Sequence, residues 1–550
     1  MTKLRFLLFF FLVMYVVIIL RLFYLQVLKE NPSSEYLTTR RIPAARGNIF
    51  DRTNQTLATN QVEYKLFAEP KKVSDIEIAN IKIARALNVE ESTISARLDK
   101  TKDWVAIMGG LSRSQKDAIE ALKLSGLGFD DEPTRYYPEG STAAHLIGFV
   151  GKNSEDESVG YFGIEGFYDQ DLGGLPGLMR SDRDLINRPI FLGTQEKIDP
   201  ENGRDLVLSI DKTVQDIVKK KLKEGIDKYH AKDGCAIIAD PDTMEILGLS
   251  CLPDFDQEKY YDFNEQYYKN SAISSLYEPG STFKPFIMAA GIEEGVIRPD
   301  TIYHEKGPVT IGEYTIKTWN NTYEGDITLT RALEKSSNVA MTYVGEKLGK
   351  DKLLGYLKSY GFGELTHIDL QGEVANALKQ QKDWYPIDYA TVTFGQGIAV
   401  SPIQMIRAFA SLINGGNLLE PHVVKKLING QQAKEIQPHV IRKVISKETS
   451  DKIKTMLVST IANGETKYLR PEGYAIGGKT GTAQIAISGH YDASKTLASF
   501  IGFSPIKHPK FIGLVIVNEP KTSQWGSETA APIFFQIAKE LIVYYNVTPE

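Results

Sequence analysis

The chain has little of several things. Only two cysteines, Cys235 and Cys251, occur in 550 residues, so no disulfide framework carries the fold. They flank a predicted hairpin, CAIIAD then MEILGLSC. A cross-strand bridge is conceivable there, but two buried free thiols are the favoured expectation. The eight histidines do not cluster and no H-E-x-x-H run occurs, so no metal or other cofactor is implied. Basic and acidic residues nearly balance, 64 against 69, for a net charge of −5. That excludes the basic excess of a nucleic-acid binder, and no acidic tail is present. There is no short repeat and no low-complexity tract. What remains, 42% hydrophobic and 24% charged, is ordinary globular composition over a length suited to roughly three or four domains.

One long apolar run stands apart. Phe6 to Leu20 is unbroken, Arg21 interrupts it, and LFYLQVL continues to Leu28. A helix of this length spans a hydrocarbon core of ~30 Å. Lys3 and Arg5 precede it, which favours a cytoplasmic N-terminus. No small-residue cleavage site follows, so an uncleaved single-pass anchor is expected rather than a signal peptide. Arg21 then belongs near the outer interface or against a partner helix, because a charge facing lipid is costly. Everything after residue 28 is expected outside the cytoplasm.

Residues 29–45 read as a polar stalk and 46–58 as a strand and turn. From 60 to 200 short strands alternate with amphipathic helices, among them IANIKIARAL and QKDAIEALKL. The Gly-, Asp- and Pro-rich stretch 151–205 reads as loops and a linker. From Asp205 the order is strand LVLSID, helix VQDIVKKKLKEGIDKY, the hairpin, and a long helical block to about 465. Strands TLASFIGFS and KFIGLVIVNEP follow, then a closing helix AAPIFFQIAKELIVYY with Pro532 in its first turn. This predicts one large α/β domain whose sheet draws on both ends of the segment.

Residues 473–484, GYAIGGKTGTAQ, satisfy the phosphate-loop pattern G-x-x-x-x-G-K-[ST]. Such a loop should follow a buried strand and open into a helix. Here GETKYLRPE precedes it and GTAQIAI reads as strand, so nucleotide binding is not expected. The same letters contain K-T-G. Three S-x-x-K matches occur, at Ser209/Lys212, Ser281/Lys284 and Ser504/Lys507. The first and last are expected to be solvated polar residues. Ser281 follows Pro279 and Gly280 and opens an apolar helical run, with Lys284 one turn along the same face. A desolvated Lys284 would lose its charge and could take the serine proton. A plain capping role for Ser281 is the competing reading. KSSN supplies Ser336 and Asn338 inside an expected helical stretch, suited to relaying a proton and holding a carbonyl. Lys479, Thr480, Gly481 and Thr482 suit a substrate carboxylate, with Gly481 admitting the substrate close to the backbone. The N–H groups of Ser281 and Thr482 could form an oxyanion hole.

S-x-x-K, S-x-N and K-T-G in this order mark the serine enzymes that penicillin acylates. The chain resembles the class B penicillin-binding proteins over nearly its whole length. RGNIFDRTNQTLA, RYYPEGSTAAHLIGFVG and GIEGFYDQDLGGLPG resemble their pedestal segments. LSIDKTVQ, YEPGSTFKPF, FGQGIAVSPIQM and GGKTGTAQ resemble their catalytic landmarks, and the YEPGSTFK form resembles the division and sporulation branch more than the elongation branch. The resemblance implies an α/β (α+β) penicillin-recognising serine transpeptidase domain with an antiparallel sheet flanked by helices and an all-helical lobe. It implies a cytoplasmic tail (1–5), an anchor (6–28), an elongated pedestal (29–204) and a catalytic domain (205–550). Ser281 would be the acylated nucleophile, Lys284 its base, and Ser336 and Asn338 assistants to proton transfer and positioning. Lys479, Thr480, Gly481 and Thr482 would bind the carboxylate end of the donor.

The implied reaction crosslinks peptidoglycan stem peptides, from a D-Ala-D-Ala donor to an amine acceptor, in septal wall synthesis. Implied partners are β-lactams, the cell membrane, a SEDS-type glycan polymerase and other division proteins, with no nucleic acid or nucleotide. An elongation-type transpeptidase, a carboxypeptidase or β-lactamase, a β-lactam sensor and a non-catalytic scaffold are the alternatives. Asp51 and Arg52 are expected to form a structural ion pair. The pedestal motif usually carries glycine where Asn54 stands, and asparagine tolerates the left-handed conformation.

Overall fold

The computed structural model describes residues 2–24, 37–155, 157–182, 195–487 and 490–549. The chain divides into two compact units. The first comprises residues 1–46 and 173–203. It holds helix α1 (Thr2–Phe23), apolar on every face and long enough to cross a membrane. The guanidinium of Arg21 lies 5.5 Å from the Tyr24 ring. Residues 25–28, the end of the expected span, lie outside the described residues. Strand Gly177–Asp182 pairs antiparallel with both Leu37–Ile42 and Gln195–Ile198.

The second unit comprises residues 47–172 and 204–550. Helix α2 (Ile76–Leu87) begins where the Asp75 side chain accepts the Ile78 N–H, and ends at Asn88 in the left-handed region. Its Ile83 and Leu87 pack beneath strand Thr56–Ala68. Strand Asp205–Leu208 runs parallel to Ile49–Phe50 and antiparallel to Val424–Asn429. Strands from before and after residue 204 thus share one seven-stranded sheet. The buried Arg135–Glu165 ion pair, 2.7 Å, ties strand Leu127–Tyr136 to the helical turn Gly163–Phe167.

The sheet that positions the site has five strands: β1 (Asp233–Ala239), β2 (Ile246–Leu252), β3 (Gly477–Ile487), β4 (His490–Ser504) and β5 (Phe511–Asn518). Their spatial order is β2-β1-β5-β4-β3, with every neighbouring pair antiparallel. Successive side chains point to opposite faces. In β1, Ala236 and Ile238 therefore enter one core with helices α3 (Lys212–Tyr229) and α9 (Ala530–Tyr544). Cys235, Ile237 and Ala239 enter the other. That second core is filled by α4 (Lys284–Glu293), α5 (Leu329–Glu334), α6 (Asn338–Leu348) and α7 (Pro402–Ile413), with α8 (Lys447–Asn463) closing the lobe. A sheet buried on both faces explains why its strands read as continuous apolar runs. This is the antiparallel sheet with flanking helices and a helical lobe that the motifs implied.

Four local expectations are corrected. Cys235 and Cys251 are not free thiols. The hairpin register sets them directly opposite and they are joined as a disulfide. Register depends on the turn, which composition does not reveal. Asp51 and Arg52 do not pair with each other. Asp51 is buried and accepts from the backbone N–H groups of Thr53, Gln55 and Lys212, whereas Arg52 pairs with Glu245 at 3.4 Å. Ser209 and Ser504 are not solvated. Both are fully buried and donate to carbonyls, of Ile246 (2.7 Å) and Ala475 (3.1 Å). The KSSN stretch is not continuous helix, as described below. Asn54 does adopt the left-handed conformation, with φ 65°.

Candidate active site

The nucleophile candidate sits on a tight turn. Gly280–Phe283 forms a single 3₁₀ turn that runs directly into α4, whose first residue is Lys284. Ser281 is half-buried, and its hydroxyl has no hydrogen-bond partner among the described residues. Neither the turn nor α4 has a side-chain cap, so Ser281 is not a capping residue. The turn is clamped from both sides by backbone that tolerates no side chain. At Gly395 (φ 77°), within the FGQG landmark, a Cβ would collide with the Gly280 backbone, and the Gly395 carbonyl accepts the Gly280 N–H at 3.0 Å. At Gly481 in β3 a Cβ would lie 2.8 Å from Thr282 Cγ2 and 2.9 Å from the Pro279 carbonyl oxygen. At Gly280 (φ 55°) it would lie 2.9 Å from the Thr482 carbonyl oxygen. Glycine is used here so that the S-x-x-K turn and the K-T-G strand can touch.

Lys284 is fully buried. Its side-chain nitrogen lies within donating distance of the Ser336 carbonyl at 2.5 Å, the Ser336 hydroxyl at 3.1 Å and Asn338 Oδ1 at 2.8 Å. The two Ser336 acceptors come from the break between α5 and α6, and Asn338 is the first residue of α6. Ser336 there is left-handed (φ 59°), and its N–H bonds back to the Leu333 carbonyl. Ser337 caps α6 by accepting the Ala340 N–H. The sharp reversal aims Ser336 and Asn338 at the lysine, which a continuous helix would not do. The amide nitrogen of Asn338 donates onward to the Lys317 carbonyl at 2.9 Å.

Lys479 is buried in β3 and donates to the carbonyl and hydroxyl of Thr480, at 3.1 and 3.2 Å. The Thr482 hydroxyl accepts the Gly526 N–H at 3.1 Å. Burial, and secondarily the charge of Lys479, push the Lys284 amine well below its ordinary range. Burial lowers Lys479 to about 8. Glu465 opposes both shifts. The S-x-x-K, S-x-N and K-T-G residues thus form one cluster around two buried lysines, each made less basic by its burial. The GGKTGTAQ segment is strand throughout, preceded by a 3₁₀ turn at Lys467–Leu469, and has none of the strand-to-helix geometry of a phosphate loop.

Sequence reasoning missed Glu465, Gly526 and the structural part of Gly395. Only FGQG carried a visible signal, as a landmark. Glu465 lies in an unremarkable loop, and its effect arises only when that loop meets β3.

A family model for the penicillin-binding protein transpeptidase domain matches residues 234–539. The chain belongs to the penicillin-binding proteins. A second model, the penicillin-binding protein dimerisation domain, matches residues 41–208. Stage V sporulation protein D of Bacillus subtilis is 34% identical, covering 100% of this chain and 86% of the relative. Peptidoglycan D,D-transpeptidase FtsI of Escherichia coli is 28% identical over 94% of this chain and 86% of its own length. The crystal structure of penicillin-binding protein 2X from Streptococcus thermophilus superposes with a TM-score of 0.78 at 23% identity, covering 92% and 80% of the two chains. That last likeness bears on the fold alone.

Proposed function

We propose that this penicillin-binding protein is a membrane-anchored peptidoglycan D,D-transpeptidase that works through a serine acyl-enzyme and is acylated by β-lactams. The observation that carries the reading is the buried Lys284 amine held by Ser336 and Asn338 at the foot of the Ser281 turn. In the first half-reaction Ser281 Oγ attacks the carbonyl of the penultimate D-alanine. Its proton passes to uncharged Lys284, and through the Ser336 hydroxyl to the departing D-alanine nitrogen. The Oγ–C bond forms as the C–N bond breaks. The backbone N–H groups of Ser281 and Thr482 stabilise the oxyanion. Lys479, with the hydroxyls of Thr480 and Thr482, takes the donor carboxylate, while Gly481 keeps the strand close to the turn. In the second half-reaction an amine of a neighbouring stem peptide attacks the ester and Ser281 is released.

The name of the sporulation relative supports a wall-building role of the division and sporulation kind; a septal role beside a SEDS-type polymerase and other division proteins rests on the motif resemblance. Lys3 and Arg5 support an N-in orientation for α1. We assign residues 1–5 to the cytoplasm, 6–28 to the anchor, 29–204 to the pedestal and 205–550 to catalysis. The test supplies a D-Ala-D-Ala donor thioester with and without an amine acceptor. Acceptor-dependent formation of the new amide, lost in Ser281→Ala, is the expected result. Release of hydrolysed donor alone at saturating acceptor would point instead to a carboxypeptidase.

A further inference from the structure

Two tryptophans meet beside the catalytic cluster and take no part in the chemistry above. Trp319 and Trp525 make an edge-to-face contact with ring centroids 5.2 Å apart. Each comes from a different side of the site. The Trp319 indole N–H donates to the Lys335 carbonyl at 3.3 Å, one residue before Ser336, and Lys317 two residues earlier holds Asn338. The Trp525 carbonyl accepts the N–H groups of Glu528 and Thr529, and the next residue, Gly526, donates to Thr482 and lies against the Gly481 carbonyl. One ring is thus tied to the S-x-N side and the other to the K-T-G side.

Core packing does not account for them. Trp319 is 46% exposed and Trp525 39% exposed. Two large indoles left half in water, each fastened by its neighbours to a catalytic motif, form an aromatic surface where the two sides of the site converge.

We propose that the Trp319–Trp525 pair binds the incoming amine of the acceptor peptide. This rests on the transpeptidase reading. The two substrates differ in charge: the donor end is a carboxylate and the acceptor group arrives as an ammonium. Indole faces carry negative quadrupole density, which attracts a cation and does not attract a carboxylate. The pair therefore selects the second substrate. The docked ammonium loses one proton to solvent, and its nitrogen attacks the ester carbonyl on Ser281. The C–N bond forms, the C–Oγ bond breaks, and the second amine proton passes through Lys284 to Ser281 Oγ. Both indoles act as positioning and specificity groups; neither exchanges a proton.

The experiment uses the full chain in detergent micelles. Wild type, Trp319→Ala, Trp525→Ala and the corresponding Phe variants are compared by two readouts. The first is the rate of acylation by a labelled penicillin, which involves no acceptor. The second is the ratio of aminolysis to hydrolysis of the acyl-enzyme, from a donor thioester and a lysine-containing acceptor peptide. Acylation is expected to stay within about twofold, as for surface changes away from the reacting groups. The aminolysis ratio is expected to fall about tenfold with Ala and to recover in part with Phe, the scale of a partly desolvated cation–π contact. An unchanged ratio overturns the proposal, as does a parallel fall in acylation, which would assign the pair to donor geometry. Absence of any penicillin adduct on the wild-type protein overturns the underlying reading itself.

Discussion

Replacing Lys284 with methionine separates the chemistry of the cluster from its packing. The side chains are similar in length, and Lys284 itself is fully buried. The substitution removes the donor held by the Ser336 carbonyl, the Ser336 hydroxyl and Asn338 Oδ1. Leaving buried acceptors unpartnered costs about 1–3 kcal/mol each. That cost is offset in part, because a buried amine beside the charge of Lys479 is replaced by an apolar thioether. Three such acceptors amount to about 3–9 kcal/mol before that offset, so the melting temperature should fall, and the rate is read below the melt, where the variant is folded. Loss of the general base is a larger effect on rate, about 10²–10⁴-fold. The assay is the second-order rate of acylation by a labelled penicillin, with a thermal melt on the same sample. A folded Lys284→Met protein that acylates within threefold of wild type, well short of the roughly hundredfold minimum expected, would refute the assignment of Lys284 as base.

Acylation should show a bell-shaped pH profile. It rises as Lys284 loses its proton, at a pH well below 10.5, and declines above about 8 as Lys479 loses the charge that holds the carboxylate. A rate still climbing at pH 10, about two units past the Lys479 value, would contradict the division of labour between the two lysines. Ser336→Gly relieves a left-handed serine, so the melting temperature should hold or rise while acylation falls by about tenfold or more with loss of the hydroxyl relay; unchanged acylation would remove Ser336 from the proton path. In Gly481→Ala the new methyl would meet Ser499 Oγ at 2.5 Å and Thr282 Cγ2 at 2.8 Å. It should force the strand off the nucleophile turn, destabilise the protein by about 1–3 kcal/mol, and slow acylation. Wild-type melting and acylation would show that the close approach is not needed.

Much of this was legible in the sequence because the motifs carry their own geometry. Ser281 and Lys284 are one turn apart, and that spacing survives any tertiary arrangement. The apolar runs of β1, β4 and β5 are strands buried on both faces, and periodicity reports that directly. The K-T-G segment was separable from a phosphate loop because its flanks read as strand and not helix. What escaped depends on register and on long-range approach. The Cys235–Cys251 bridge needs the hairpin register. The burial of Ser209 and Ser504 needs the carbonyls that meet them. The break at Ser336 is a left-handed turn at a residue that is not glycine, and nothing in KSSN announces it. The effect of Glu465 on Lys284 and the Trp319–Trp525 contact act across segments more than a hundred residues apart.

The central claim is that Ser281 is the residue that is acylated. Incubating the full chain with a penicillin, then measuring the intact mass and mapping the modified peptide, tests it most directly. One adduct carrying the whole drug mass is expected on the peptide that contains Ser281, and none on Ser281→Ala. An adduct on another residue, or a folded wild-type protein that acquires none, would contradict it.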